Sequence, residues 1–285
     1  MKFSGHESFY CKIFWLKKGY DFLKEGKNFN DENAVIDLGV GKNMVSSIKF
    51  WLRAFDLINE DNTLNLFADK IFSDNGKDPY LENINTLWLL HYNLIISEYA
   101  SIYSIIFNEF RKERNEFKKY NLHKFIITKC EIENYSYNVN TINTDISVFL
   151  RSYLKPERSS NIEDEFNNLF LDLELLISKR NPKQKLDTLY SFNYKSRSDF
   201  SPELILYILL EKYSNNNTID FNDLLHEKNN IGSVFCLAKN NLIEIIKNLS
   251  KKYPFLIFND DAGIQQIQLK GQLPDKWDIF EKIYN

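Results

Sequence analysis

His6 and Glu7 stand side by side in the opening stretch FSGHESF, Phe3 to Phe9. Together they offer a base, a metal ligand and a negative charge near neutral pH. That is chemistry a phosphodiester cleavage needs, since it demands an activated nucleophile and neutralisation of charge on the phosphorane. Ser4 and Gly5 would make the turn that exposes the pair. The same residues also spell a capping box, Ser4-x-x-Glu7, at a helix entry, so a catalytic and a structural reading both stand. Glu25-Gly26-Lys27 and Glu116-Phe117-Lys118 spell Glu-x-Lys, the tail of a common restriction-type nuclease motif. A chain rich in Glu and Lys produces such matches by chance. Both fall in helical patterns, and Gly26 fits a helix C-cap. The string GVGK, Gly39 to Lys42, lacks the spacing of a phosphate-binding loop.

A second group of residues suits nucleic acid. Asp31 to Phe55 reads as a short helix, a glycine turn and a longer amphipathic helix, the layout of a helix-turn-helix. Val35, Leu38, Val40, Val45 and Ile48 fall at packing positions, and Gly39 can take the positive φ of the turn. Met44, Val45, Ile48, Trp51, Leu52 and Phe55 recur at helical spacing and form one buried face. Lys42, Asn43, Ser46, Ser47, Lys49 and Arg53 are left for the other face, where short polar and long basic side chains suit a major groove. DNA contact and a purely structural or dimerising role are the two readings of this helix.

What must hold these residues in place is a protein of 285 residues, 44% hydrophobic and 26% charged, the composition of an ordinary soluble globular chain. Its net charge of −3 disfavours indiscriminate polyanion binding, so DNA contact requires a local patch. Cys11, Cys130 and Cys236 are odd in number and far apart, which fits neither a disulfide framework nor a zinc knuckle. No segment resembles a signal peptide or a membrane span, so a cytoplasmic protein with no membrane partner is expected.

The expected fold is mainly α with small β wings, built from tandem winged helix-turn-helix modules. An N-terminal module spans 1–108, with Thr63 to Phe67 as a wing strand and one long buried helix from Asn85 to Ile106. His91 on that helix reads as an interior histidine. A helical connecting segment spans 109–160. It carries a basic run from Arg111 to Lys119, either a solvated helix face or a phosphate-binding edge. Its second helix buries Ile142, Ile146, Phe149, Leu150 and Tyr153 and turns Asn143, Thr144, Ser147 and Arg151 outward. Lys155 to Ser160 is the linker. A C-terminal module spans 161–285, with a helix starting at Ser201-Pro202-Glu203 and a hairpin about Asp260 to Gly263. The acidic hairpin tip favours protein contact over DNA.

Several strings then carry a resemblance: FSGHESF, WLKKGYD (Trp15 to Asp21), LGVGKNMV (Leu38 to Val45), WLRAF (Trp51 to Phe55), DPYLEN (Asp78 to Asn83) and TLWLLH (Thr86 to His91). TDISVFLRSY (Thr144 to Tyr153), SPEL (Ser201 to Leu204), GSVFCLAKNNL (Gly232 to Leu242) and DDAGIQQI (Asp260 to Ile267) continue it over nearly the full chain. In these the chain resembles the SspB-like family of bacterial DNA phosphorothioation systems. The resemblance implies an accessory that nicks DNA so that sulfur replaces a non-bridging phosphate oxygen, in a cluster that marks host DNA for antiviral defence. It implies double-stranded DNA, a sulfur-transfer enzyme and an ATPase as partners, with a homodimer as a further option. Intrinsic nicking would call for a divalent metal such as Mg or Mn. The alternatives are a non-catalytic adaptor that docks the sulfur-transfer enzyme on DNA and, third, a transcriptional regulator.

Overall fold

Gly39 sets the first recognisable corner. A computed structural model of the protein describes residues 1–155, 168–180, 188–215, 218–261 and 263–285. In it α1 (Ile13–Lys24) is followed by α2 (Ala34–Leu38) and α3 (Lys42–Ala54). Gly39 ends α2 with φ 60° and ψ 36°, the left-handed conformation that a Cβ opposes. Helix α3 buries Val45, Ile48, Trp51 and Leu52, with Phe55 just beyond it, as its periodicity requires. Phe50, Ser47 and Ala54 are buried as well, so the helix is covered on more than one side. Each large apolar side chain buried this way stabilises the fold by about 1.5–3 kcal/mol, which makes α3 a central strut. Val35 departs from its expected packing role, since it stays 37% exposed.

Thr63 to Phe67 does not form a wing strand. Only a single bridge joins Ile58 to Leu64, because Asn65 caps α4 (Leu66–Phe72) by accepting from the Ala68 amide. The long helix expected from Asn85 is broken. Helix α5 (Ile84–Ile96) stops at Ser97, Glu98 turns to φ 53°, and α6 (Ser101–Ile105) runs into a π-turn over Ile106–Phe110. His91 is fully buried, with Nδ1 2.9 Å from the Tyr153 hydroxyl.

The basic run is not a continuous helix face either. After α7 (Arg111–Glu113) the backbone extends at Arg114, and β1 (Glu116–Phe117) pairs with β3 (Thr188–Phe192). The second Glu-x-Lys string therefore starts on a strand, contrary to the helical reading. The three-stranded sheet has the order β1-β3-β2, with β2 at Leu176–Arg180, and is antiparallel. Helices α8 (Lys119–Ile132) and α9 (Val139–Tyr153) pack together, and α9 also packs on α6. Those contacts build the expected connecting segment into the first compact unit, which runs from Met1 to Asn193. The unit boundary thus falls at neither 108 nor 160. Most of the anticipated linker, residues 156–160, lies outside the described residues.

The second unit, Tyr194–Asn285, starts with α10 (Pro202–Tyr213). Ser201 caps it by accepting from the Glu203 amide, with proline at the first helical position. There follow β4 (Thr218–Asp220), α11 (Phe221–His226), α12 (Ile231–Val234), α13 (Lys239–Lys252) and the hairpin β5 (Leu256–Asp261) and β6 (Ile264–Leu269). Helix α14 (Lys276–Ile283) closes the chain. The sheet is antiparallel in the order β4-β6-β5. The architecture is mainly α with small antiparallel sheets, and no helix among the described residues is long and apolar enough to cross a membrane.

Candidate nucleic-acid interface

The α3 stripe survives folding in reduced form. Lys42, Asn43 and Ser46 are exposed and Lys49 is half-buried, its Nζ 3.3 Å from Asn30 Oδ1. Positions 42, 46, 49 and 53 follow helical spacing and so share one narrow face. Two expected members drop out of it. Ser47 is fully buried and donates to the His6 carbonyl at 3.0 Å. Arg53 spends its guanidinium on the following turn, donating to the Asn59 and Glu60 carbonyls at 3.1 and 2.9 Å and to Asn62 Oδ1 at 2.7 Å.

The His6 pair is placed differently from both sequence readings. Helix α1 begins at Ile13 with Lys12 at its cap, so Ser4-x-x-Glu7 caps no helix. Residues 4–8 instead form a tight loop in which Ser4, Gly5, Glu7 and Ser8 all have positive φ, from 48° to 97°. A Cβ at Gly5 would meet the Phe50 ring at 2.8 Å, so only glycine admits this approach. Three elements pin the loop. From α9, Asp145 accepts the Ser4 amide at 3.0 Å and faces His6 Nε2 at 3.0 Å, and Arg151 donates to the Ser8 carbonyl at 2.8 Å. From α3 come Ser47 and the Trp51 indole, which donates to the Phe9 carbonyl at 3.2 Å. The segment before the loop is tied to α6, where the Lys2 amide donates to Ser101 Oγ at 2.6 Å and its carbonyl accepts from the Ser101 amide at 3.2 Å.

These bonds fix the state of the His6 ring. Its Nδ1 accepts the Ser8 amide at 3.2 Å, which leaves Nε2 as the protonated nitrogen, donating to Asp145. His6 and Asp145 are almost completely buried, whereas Glu7 is exposed. Both ring nitrogens thus have partners within the protein. Asp145 is the member that sequence reasoning missed. It lies three residues after Ile142, on the apolar face of α9, and a carboxylate at a core position is a signal in its own right.

Beside this loop lies a polar hollow of about 370 Å³, lined by Ser4 to Ser8 together with Asn140, Thr141 and Thr144. Farther along α9 is a cleft of about 210 Å³ that holds Lys119, Ser147, Arg151, Lys155, Ser178 and Tyr190. The thiols offer no nucleophile on this side, because burial pushes the Cys11 and Cys130 thiols up from the ordinary range. No group of three or more His, Cys, Asp or Glu that would suit a metal occurs among the described residues.

Comparison with known proteins gives consistent results. A family model described as "Protein of unknown function (DUF4007)" matches residues 3–284. Among curated proteins none matches this sequence. Two solved structures share the fold. A magnesium ion-bound SspB crystal structure superposes with a TM-score of 0.86 at 23% identity, covering 99% of this chain and 88% of the other. An SspB crystal structure gives 0.84 at 22% identity with the same coverage.

Proposed function

The chain belongs to the DUF4007 family, and from that premise we propose that it is a DNA-binding component of a bacterial phosphorothioation system. The fold it shares with the SspB structures and the family resemblance of its motifs support the setting. One observation carries the DNA contact: the exposed Lys42, Asn43 and Ser46, with half-buried Lys49, on a helix that follows a left-handed glycine turn. In this reading the stripe meets duplex DNA, with Lys42 and Lys49 on phosphates and Asn43 and Ser46 toward base edges.

The second unit reads as a winged helix, on the order helix, strand, helices and hairpin with its β4-β6-β5 sheet. Its hairpin presents Asp260, which accepts from Gln265 at 2.9 Å and faces Lys247 at 3.5 Å, and this acidic character suits a protein partner. A sulfur-transfer enzyme, the pathway ATPase or a second copy of the chain fits that role.

On nicking, the engaged His6 ring favours the adaptor reading over catalysis by His6 and Glu7. One SspB structure holds magnesium. In this chain the His6 nitrogens and the Asp145 carboxylate already have partners within the protein. The test has two parts. Exchange of Lys42 and Lys49 for Gln should weaken duplex binding and shallow its dependence on log salt by about 1.8, two contacts at ~0.9 each. Unchanged affinity and slope in the folded variant would refute contact by this helix. Incubation of supercoiled plasmid with Mg²⁺ or Mn²⁺ should leave it closed. Conversion to open circle by the protein, lost in a metal-free control, would restore the nickase reading.

A further inference from the structure

We propose that the cleft between the start of α8, the C-terminal half of α9 and the β2-β3 pair is a binding site for a phosphate group. It gathers Lys119, Arg151 and Lys155 with the hydroxyls of Ser147, Ser178 and Tyr190. Lys119 Nζ donates to Ser147 Oγ at 2.6 Å. Arg151, among the described residues, donates to carbonyls, those of Ser147 at 3.3 Å and Ser8 at 2.8 Å, and lies 5.6 Å from the Tyr10 ring. Among the described residues no carboxylate pairs with any of the three cations. Burial, and after it the Arg151 charge, pulls the Lys119 ammonium down from its ordinary value. Like charges held together at such a cost are relieved when a multiply charged oxyanion enters.

Volume decides the size of the ligand. About 210 Å³ takes one tetrahedral group with its flanking atoms and excludes a folded peptide. The Arg151–Ser8 bond ties the cleft to the loop whose His6 carbonyl is held by Ser47, so a continuous bonded path links it to helix α3. A DNA backbone phosphate is one source of the group and a free phosphate compound the other. The DNA source rests on the function proposed above; the oxyanion chemistry does not.

The experiment uses the full chain and its Lys119→Gln/Lys155→Gln variant, with Arg151 kept because it braces Ser8. Thermal melting is followed with inorganic phosphate, and with acetate at equal ionic strength. Fluorescence anisotropy of a labelled duplex is followed against salt. Phosphate, but not acetate, should raise the melting temperature of the wild type and not of the variant. The duplex salt slope should shallow by about 1.8 in the variant. A response to phosphate alone assigns the site to a free phosphate compound, and it stands even if the wild type binds no DNA. Equal effects of phosphate and acetate, or no difference between the two proteins in either arm, overturn the proposal. Should the double variant melt early, Lys155→Gln alone, at an exposed position, carries the same comparison.

Discussion

Replacing Asp145 by alanine removes the acceptor on which the N-terminal loop is hung. The carboxylate takes the Ser4 amide and the His6 Nε2 proton, and it is 3% exposed. Truncation leaves those two donors without an acceptor, at about 1–3 kcal/mol each when buried. Ser4 lies partly in reach of water, which places it at the low end, so the loss should total about 2–4 kcal/mol. Ser4, Glu7 and Ser8 hold positive φ only while their contacts persist, so their relaxation offsets part of the loss and keeps it from exceeding that range. Asp145→Asn keeps one acceptor oxygen and should lose about half as much. Because the chain has two compact units, the loss is best read locally, by hydrogen exchange at the Ser8 amide, which His6 Nδ1 accepts. A nitrogen-15 spectrum of the imidazole should place a proton on Nε2 in the wild type. Exchange slowed to the wild-type level in Asp145→Ala, or an Nδ1–H imidazole, would refute the account of this loop as a clamp.

Arg53→Ala should cost about 1–3 kcal/mol through the turn at Asn59 to Asn62 while leaving the DNA salt slope unchanged; a shallower slope would put Arg53 back on the DNA face. Gly39→Ala meets open space but a φ of 60°, so it should lower stability by about 1–2 kcal/mol in urea unfolding, and a neutral result would contradict the left-handed turn. Glu203 is buried, which alone would raise its carboxyl. Lys252 and Ser201 outweigh that and hold it below the usual glutamate range. A depressed carboxyl stabilises the fold above its unfolded value and loses that contribution as pH falls through the folded one. Unfolding of the second unit should therefore ease as pH falls below the usual glutamate range, and Glu203→Gln should flatten the profile there, which circular dichroism against pH checks.

The parts legible in the sequence were those written in a single helix. The burial of Val45, Ile48, Trp51 and Leu52 on α3, and of Ile142, Ile146 and Phe149 on α9, follows from spacing alone. Gly39 and Ser201-Pro202 announce their turn and cap by steric and hydrogen-bonding needs that neighbours cannot change. Illegible were positions decided by distant chain. Ser47 counts as an outer residue until the loop at His6, 41 residues away, covers it. Asp145 gains its meaning from Ser4 and His6, and the basic run loses its helix because Glu116 finds Ser191 across a sheet. The missing wing was readable in principle, since Asn65 is a good helix cap placed where a strand was expected.

The clamp at His6 also has a consequence in time. The bond between His6 and Asp145 spans 139 residues, and Arg151 holds Ser8 across 143. At a synthesis rate of about 5–20 residues per second, the residues around His6 wait roughly seven to thirty seconds for the helix that anchors them. During that interval the Ser4 amide and His6 Nε2 lack the carboxylate that receives them in the folded loop. The loop at His6 is thus among the last parts of this unit to settle, and its ordering certifies that everything as far as α9 has already been made.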